Sequence, residues 1–196
     1  MYVKEINNPI IHEVFEAIKG VWNLVQNDNR FQGKYKYMHY AGSTEETVEI
    51  IYDKFPLLLD FRMKLDLTPG ILFLSYNDPS KQLYQCDPHN HDKEGSLFFP
   101  VVHSEGAGTA FYNPPEDKIY DVDRIAPGGI EYTIQHCNWF EPAEVHNMST
   151  PHIMNTKILH GAYELIPDYP DNHYRVACNW QSNISFNEID RILHDT

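Results

Sequence analysis

The densest run of chemistry-bearing side chains is Asp87-Pro-His89-Asn-His91-Asp92-Lys-Glu94. In an extended strand, side chains alternate between faces, so His89 and His91 share one face and can hold one metal. Neutral imidazole suits iron, zinc, copper or nickel. A lone His-x-His is just as readily a solvated turn between strands, so a third ligand must come from elsewhere. His160, in Met154-Asn-Thr-Lys-Ile-Leu-His160-Gly161, is the candidate. Alternation groups it with Met154 and Ile158 on a mostly apolar face, where a histidine's ordinary role is that of a hydrogen-bonded core residue. The companion strand Tyr174-Arg175-Val-Ala177-Cys-Asn179-Trp180 adds a second signal. Arg175 lies in an otherwise apolar stretch, beside Ala177 on one face. A buried unpaired charge is costly, so the guanidinium needs an anion. That anion is either an internal carboxylate or a bound one gripped bidentately.

These residues must be positioned by a β body framed by helices. At residues 11–25, Ile11, Val14, Phe15, Ile18, Val21, Trp22 and Val25 recur at steps of three and four, one apolar stripe of a helix. Ser43-Thr44-Glu45-Glu46 resembles a capping box; it opens a second helix carrying Val48, Ile51, Tyr52 and Phe55, stopped by Pro56. Ser185-Phe-Asn-Glu188 repeats the capping pattern before a short final helix with Ile189 and Leu193. Between them the period falls to two. The expected strands are 58–66, 71–76, 82–87, 96–103, 108–112, 130–136, 153–160 and 174–181, punctuated by Thr68-Pro-Gly70, Asp78-Pro79, Asn113-Pro-Pro115 and Pro127-Gly-Gly129. This pattern predicts a mainly β chain of the sandwich, barrel or jelly-roll kind. The segments 113–128 and 137–152 read as long loops, the latter with Trp139-Phe140 as candidates to line an entrance or plug the core. The expected organisation is one domain: a helical support region at 1–56, a β-barrel at 57–182 and a C-terminal helix at 183–196.

Composition narrows the classes. The chain has 196 residues, with 15 Lys and Arg against 28 Asp and Glu, a net charge of −13. That argues against nucleic acid and anionic membrane surfaces as partners. No apolar run reaches the roughly 20 residues needed to span a bilayer. Cys86, Cys137 and Cys178 form no C-x-x-C pair and read as reduced thiols, which with the absence of a secretory signal suggests a cytoplasmic protein. Asn147-Met-Ser149 and Asn183-Ile-Ser185 are then chance glycosylation matches. Of the 11 histidines, His103, His136, His146 and His152 read as surface or hydrogen-bonded residues.

The stretches His89-Asn-His-Asp-Lys-Glu-Gly-Ser-Leu-Phe-Phe-Pro100, Glu105-Gly-Ala-Gly-Thr-Ala-Phe-Tyr112, Asn155-Thr-Lys-Ile-Leu-His160-Gly161 and Arg175-Val-Ala-Cys-Asn-Trp180 appear in an order that resembles the iron(II)- and 2-oxoglutarate-dependent oxygenases, in particular the small prolyl-hydroxylase-like and phage-type members. The resemblance implies a double-stranded β-helix, a jelly-roll barrel with Fe(II) near its mouth. His89 then matches the first ligand, His160 the last, and Arg175 the residue that grips the distal carboxylate of the 2-oxoglutarate co-substrate. The implied activity is hydroxylation of a small molecule or a peptide side chain, with 2-oxoglutarate decarboxylated to succinate.

The chain departs from that pattern in three places. The family's aspartate stands two residues after the first histidine. Here His91 occupies that position, and Asp92 is one further, which a bulge would have to rotate inward. His91 needs no such distortion. Fifteen residues separate His160 from Arg175, with an inserted turn at 167–172, and Ala177 replaces a hydroxyl residue for which Tyr84 is a substitute candidate. Two other readings stay open. One is a cupin-like metalloenzyme with three histidines, Glu94 and no keto acid. The other is a barrel binding module without catalysis. Substrate and oligomeric state, monomer or dimer, are not legible.

Overall fold

The structure is a computed structural model that describes residues 1–32, 38–42, 44–76, 89–91, 93–103, 105–125, 131–139, 141–164 and 175–194. Helix α1 (Pro9–Val25) starts where the stripe predicts, because Asn8 Oδ1 accepts the Ile11 N–H and Pro9 has no N–H to leave unpaired. Its stripe residues are buried, Phe15 only partly. Helix α2 (Glu45–Lys54) is capped by Thr44 with Thr47, three residues on, in a reciprocal capping box. Pro56 does stop α2, but it also opens α3 (Pro56–Lys64) as a favoured first residue. This corrects the strand expected at 58–66: Leu58 and Phe61, three apart, are the buried residues, so the period there is helical. Helix α4 (Phe186–His194) begins at Ser185, whose Oγ accepts the Glu188 N–H.

A six-stranded antiparallel sheet is built from β1 (Val3–Glu5), β2 (Met38–Ala41), β3 (Ile71–Tyr76), β4 (Gly95–Val102), β9 (His152–Met154) and β11 (Arg175–Ser182), in the order β1-β9-β4-β11-β3-β2. A second group comprises β5 (Ala107–Phe111), β6 (Ile119–Ile125), β7 (Glu131–Cys137), β8 (Glu144–His146) and β10 (His160–Glu164), paired as β10-β5-β8 and β6-β7. The chain is thus mainly β, with antiparallel sheets and helices. Strands β1 and β2 lie within 1–56, and all of α3 but its first residue lies within 57–182, so helical and β parts interleave along the chain.

The first sheet is buried on both faces. Leu97, Phe99, Val176, Cys178 and Trp180 join Ile11, Ile18, Trp22, Leu58, Phe61 and Ile189 from the helices in one apolar cluster. Aromatic contacts pin the layers together: Phe15 to Phe99 at 5.9 Å, Trp22 to Phe73 at 5.5 Å and Phe61 to Trp180 at 6.2 Å between centroids. The alternate residues Leu72, Leu74, Phe98, Arg175, Ala177 and Asn179 face a cavity whose other wall is the second group of strands. The buried run in β4 and β11 follows from this double coverage.

Other expectations shift. The strand expected at 153–160 is β9, then a turn at 155–159, then β10, because Ile158 N–H bonds Asn155 O. Loop 113–128 contains β6, and 137–152 contains β8. Strand 82–87 lies outside the described residues.

Trp180 is fully buried, and its indole N–H donates to Thr68 O at 2.8 Å. Trp180→Phe removes that donor and leaves a void, so unfolding free energy should fall by about 2 kcal/mol. Urea denaturation checks this; an unchanged midpoint would mean that the β11 anchor carries no stability.

Candidate metal centre

Residues 89–91 form a one-rung splice between the two parts of the second strand group. His89 pairs with His160 on one side and His136 on the other. The His89–His160 rung is reciprocal, with N···O distances of 3.0 and 2.9 Å. Asn90 N–H donates to Gln135 O, and Gln135 N–H returns to Asn90 Oδ1 at 2.7 Å. The spatial order is therefore β8-β5-β10-His89-β7-β6. Residues directly opposite in an antiparallel rung project to the same face. The rings of His89, His160 and His136 accordingly lie together, with His89 5.2 Å from His160 and 5.6 Å from His136. His91 is fixed separately, by its N–H to Thr156 O at 2.9 Å in the turn before β10.

The ligand atoms of His89, His91 and His160 lie within 4.8 Å of one another, close enough for this group to bind a metal ion. The His91 and His160 rings stack with an interplanar angle of 8°, their Nε2 atoms 3.2 Å apart. His160 Nδ1 donates to Ile158 O at 2.8 Å, which keeps its Nε2 lone pair toward the cluster. On the far side of His91, Nδ1 contacts the side-chain amide of Gln181. With His160 protonated at Nδ1, the contacts of the cluster form a donor chain running from Gln181 through His91 and His160 to Ile158 O. Holding a cation needs both Nε2 lone pairs. The His91 proton then belongs on Nδ1, with Gln181 accepting it through Oε1.

Burial, and then the neighbouring His89, push the His160 pKa from 6.5 down to about 3. His91 is held well below its ordinary value by burial and by His160 and His89. Both rings stay neutral near pH 7, the form a metal requires.

Arg175 lines the same cavity, 6% exposed. Its Nη1 donates to Gly108 O at 2.7 Å and Nη2 to Thr109 Oγ1 at 3.3 Å, both neutral acceptors, and the guanidinium lies 5.1 Å from the Phe98 ring. The cavity is about 320 Å³. Asn179 is on its wall, and its Oδ1 is buried with no hydrogen-bond partner among the described residues.

The sequence candidates divide cleanly. His89, His91, His160 and Arg175 meet at one cavity. Tyr84 and Asp92 lie outside the described residues, as do Cys86, Phe140 and the turn at 167–172. Glu94 is exposed and pairs with Lys157 at 3.2 Å, so the cupin-type carboxylate is not in this cluster. His146 pairs with Glu144, and His152 Nδ1 bonds Thr150 O. Trp139 packs on the Ala110, Tyr112, Cys137 and Leu159 cluster, so of the two roles open to it, it plugs a core. His136 is hydrogen-bonded, to Arg124, as expected, and its ring also joins the cluster. Asn179 and Gln181 were missed, yet alternation from Arg175 through Ala177 puts both on the cavity face of β11.

No family model matches the chain, and no curated protein does. Among solved structures it is similar to IDO from Bacillus thuringiensis, at 9% identity and a TM-score of 0.41, over 91% of each chain. A likeness at that level carries no functional argument. No helix among the described residues is long and apolar enough to cross a membrane.

Two outcomes follow from the cluster. Gln181→Ala should weaken Zn(II) or Co(II) binding about 10- to 100-fold by calorimetry, since outer-shell partners orient ligating histidines; equal affinity would remove Gln181 from the site. The depressed His160 pKa also sets a sign for pH. Above pH 6.5 its contribution to stability is complete, and it is lost progressively toward pH 3, because the unfolded chain takes up a proton that the folded one refuses. Thermal unfolding of His160→Gln should therefore show a shallower loss between pH 6.5 and 5 than the parent, by up to about 1.4 kcal/mol per pH unit. Parallel slopes would mean that His160 is not held neutral.

Proposed function

We propose that the chain is an Fe(II)- and 2-oxoglutarate-dependent oxygenase that hydroxylates a small molecule or a peptide side chain. In this reading the two opposed strand groups are the halves of a double-stranded β-helix. The observation that carries it is the shared cavity: three converging histidines and a buried, anchored arginine line one space of about 320 Å³ between the sheets.

The residues fit the group this requires. Three neutral imidazoles are a suitable donor set for a divalent first-row cation, and Fe(II) is among the metals they take. His89, His91 and His160 would hold it. His91 stands where the family's aspartate would, and its contact with His160 supports it as the second ligand. Arg175 would grip a carboxylate of 2-oxoglutarate, as buried guanidinium forks do. Asn179, with its unpartnered buried Oδ1, offers the bound molecule a polar contact on the same wall. Leu72, Leu74, Phe98 and Met154 keep the surroundings apolar, which excludes water and strengthens the electrostatics at both ends. Bound iron would supply activation of dioxygen, one oxygen atom ending in succinate and the other in the new hydroxyl, with carbon dioxide released.

A three-histidine metalloenzyme without a keto acid would use the same ligands, and the all-imidazole donor set favours it. Arg175 separates the two readings, because only the first gives it a substrate role.

Fe(II) added anaerobically, followed by 2-oxoglutarate, should develop the visible charge-transfer band of a chelated keto acid. His160→Ala should abolish the band, and Arg175→Ala should require at least 10-fold more keto acid to reach half its intensity. Metal binding without a band would support the three-histidine alternative; no metal binding would leave a non-catalytic binding module.

A further inference from the structure

Arg124 lies at the other end of the same cavity. Strand β6 pairs with β7 so that Tyr120 opposes His136 and Arg124 opposes Tyr132. Residues 120, 122 and 124 therefore share a face with 132, 134 and 136, and Arg124, Ile134 and His136 line the cavity. The Arg124 side chain leans back along the strand to within 3.3 Å of His136 Nε2. The His136 ring is in turn 5.6 Å from that of His89. The guanidinium thus stands one ring away from the candidate metal centre, on the side opposite β5, to which Arg175 is bonded.

The local acids do not neutralise it. Asp121 and Asp123 are on the opposite face of β6 by alternation, and Asp123 accepts from Thr133 Oγ1 at 2.9 Å. Among the described residues Arg124 has no carboxylate partner, in a chain where acids outnumber bases 28 to 15. It is exposed, which places it at the mouth rather than in the depth of the cavity. A guanidinium without a carboxylate partner among the described residues, at the mouth of a largely apolar cavity, is a site for an anion, held by charge-assisted and bidentate hydrogen bonds. A cavity of about 320 Å³ is near the small end for ligand sites, which limits what can reach the metal.

We propose that the primary substrate is a small molecule bearing an anionic group, a carboxylate or a phosphate monoester, which Arg124 holds at the β6–β7 side while the carbon to be hydroxylated faces the histidine cluster. This rests on the oxygenase reading above and names the substrate class for it. Arg124 selects; it takes no part in bond making.

The test uses the full-length protein with Fe(II) and 2-oxoglutarate, reading succinate formation against a panel of free amino acids and other small carboxylic acids, their carboxamides, and small phosphate monoesters. At least one anionic compound should raise succinate formation 10-fold or more, and its uncharged counterpart should not. The carboxylate and phosphate arms distinguish the two sources. Arg124→Ala and Arg124→Gln should raise KM for that compound 10- to 100-fold, Arg124→Lys should recover part of the loss, and all three should keep the keto-acid band. Three outcomes overturn the proposal: stimulation by carboxamides equal to that by acids, no stimulation by any anionic compound while the parent shows the band, or loss of the band with Arg124→Ala, which would make Arg124 the co-substrate's partner. Absence of the band in the parent strikes the oxygenase reading itself.

Discussion

The structure turns on one backbone rung. His89 exchanges both its N–H and its C=O with His160, while its other edge meets β7 at His136. With Asn90, which is bonded to Gln135, it joins strands that among the described residues form separate ribbons, β10-β5-β8 and β6-β7. Because directly paired residues project to the same face, the rung also sets three imidazoles side by side. The ring cluster is thus a consequence of strand pairing, and any slip of one residue would send His89 to the opposite face. Thr156 completes the arrangement from the turn: its carbonyl receives the His91 N–H, and its hydroxyl bonds Lys93 O at 2.9 Å.

Strand β11 does the corresponding work in the other sheet. One face carries Val176, Cys178 and Trp180 into the helical layer. The other carries Arg175, Ala177 and Asn179 to the cavity, with Gln181 reaching His91. The site is therefore backed by the core, since neither face of β11 can move without disturbing the other. Strand β4 is used likewise, with Leu97 and Phe99 under the helices and Phe98 beneath the Arg175 guanidinium. Side chains held on packed strands lose little freedom on binding a ligand, which is the condition for a preorganised site.

Much of the frame was legible because local patterns coincided with the layers. The apolar stripe of α1 and the capping serine of α4 follow rules that need no tertiary information. Strands β3, β4, β5, β7 and β11 fall close to their expected places because alternation or dense apolar runs mark them. The failures have local causes. Leu57, Leu58, Leu59 and Phe61 form a short apolar run that fits strand or helix equally, and the Pro56 start together with packing on the helical layer decided for helix. Strands β1, β6 and β8 are short or polar, and only their partners make them strands. The grouping of Met154 with His160 by alternation fails, since a turn separates them. They nevertheless line the same cavity, from opposite sheets.

By itself the sequence determined which residues were chemically able to matter: two histidines two apart, a histidine before glycine, and an arginine in an apolar strand. It also determined the mainly β character and the helical stripe, because both are periodicities of neighbours along the chain. Only the tertiary structure decided that His89, His91 and His160 converge, that His136 joins them, that Glu94 turns away to Lys157, and that Arg124 reaches the cavity from a stretch that reads as loop. The reason is physical. Spacing sets the face on which a side chain stands, whereas convergence depends on which strand pairs with which and in what register, and that is settled by burying both faces of one sheet between helices and a second layer.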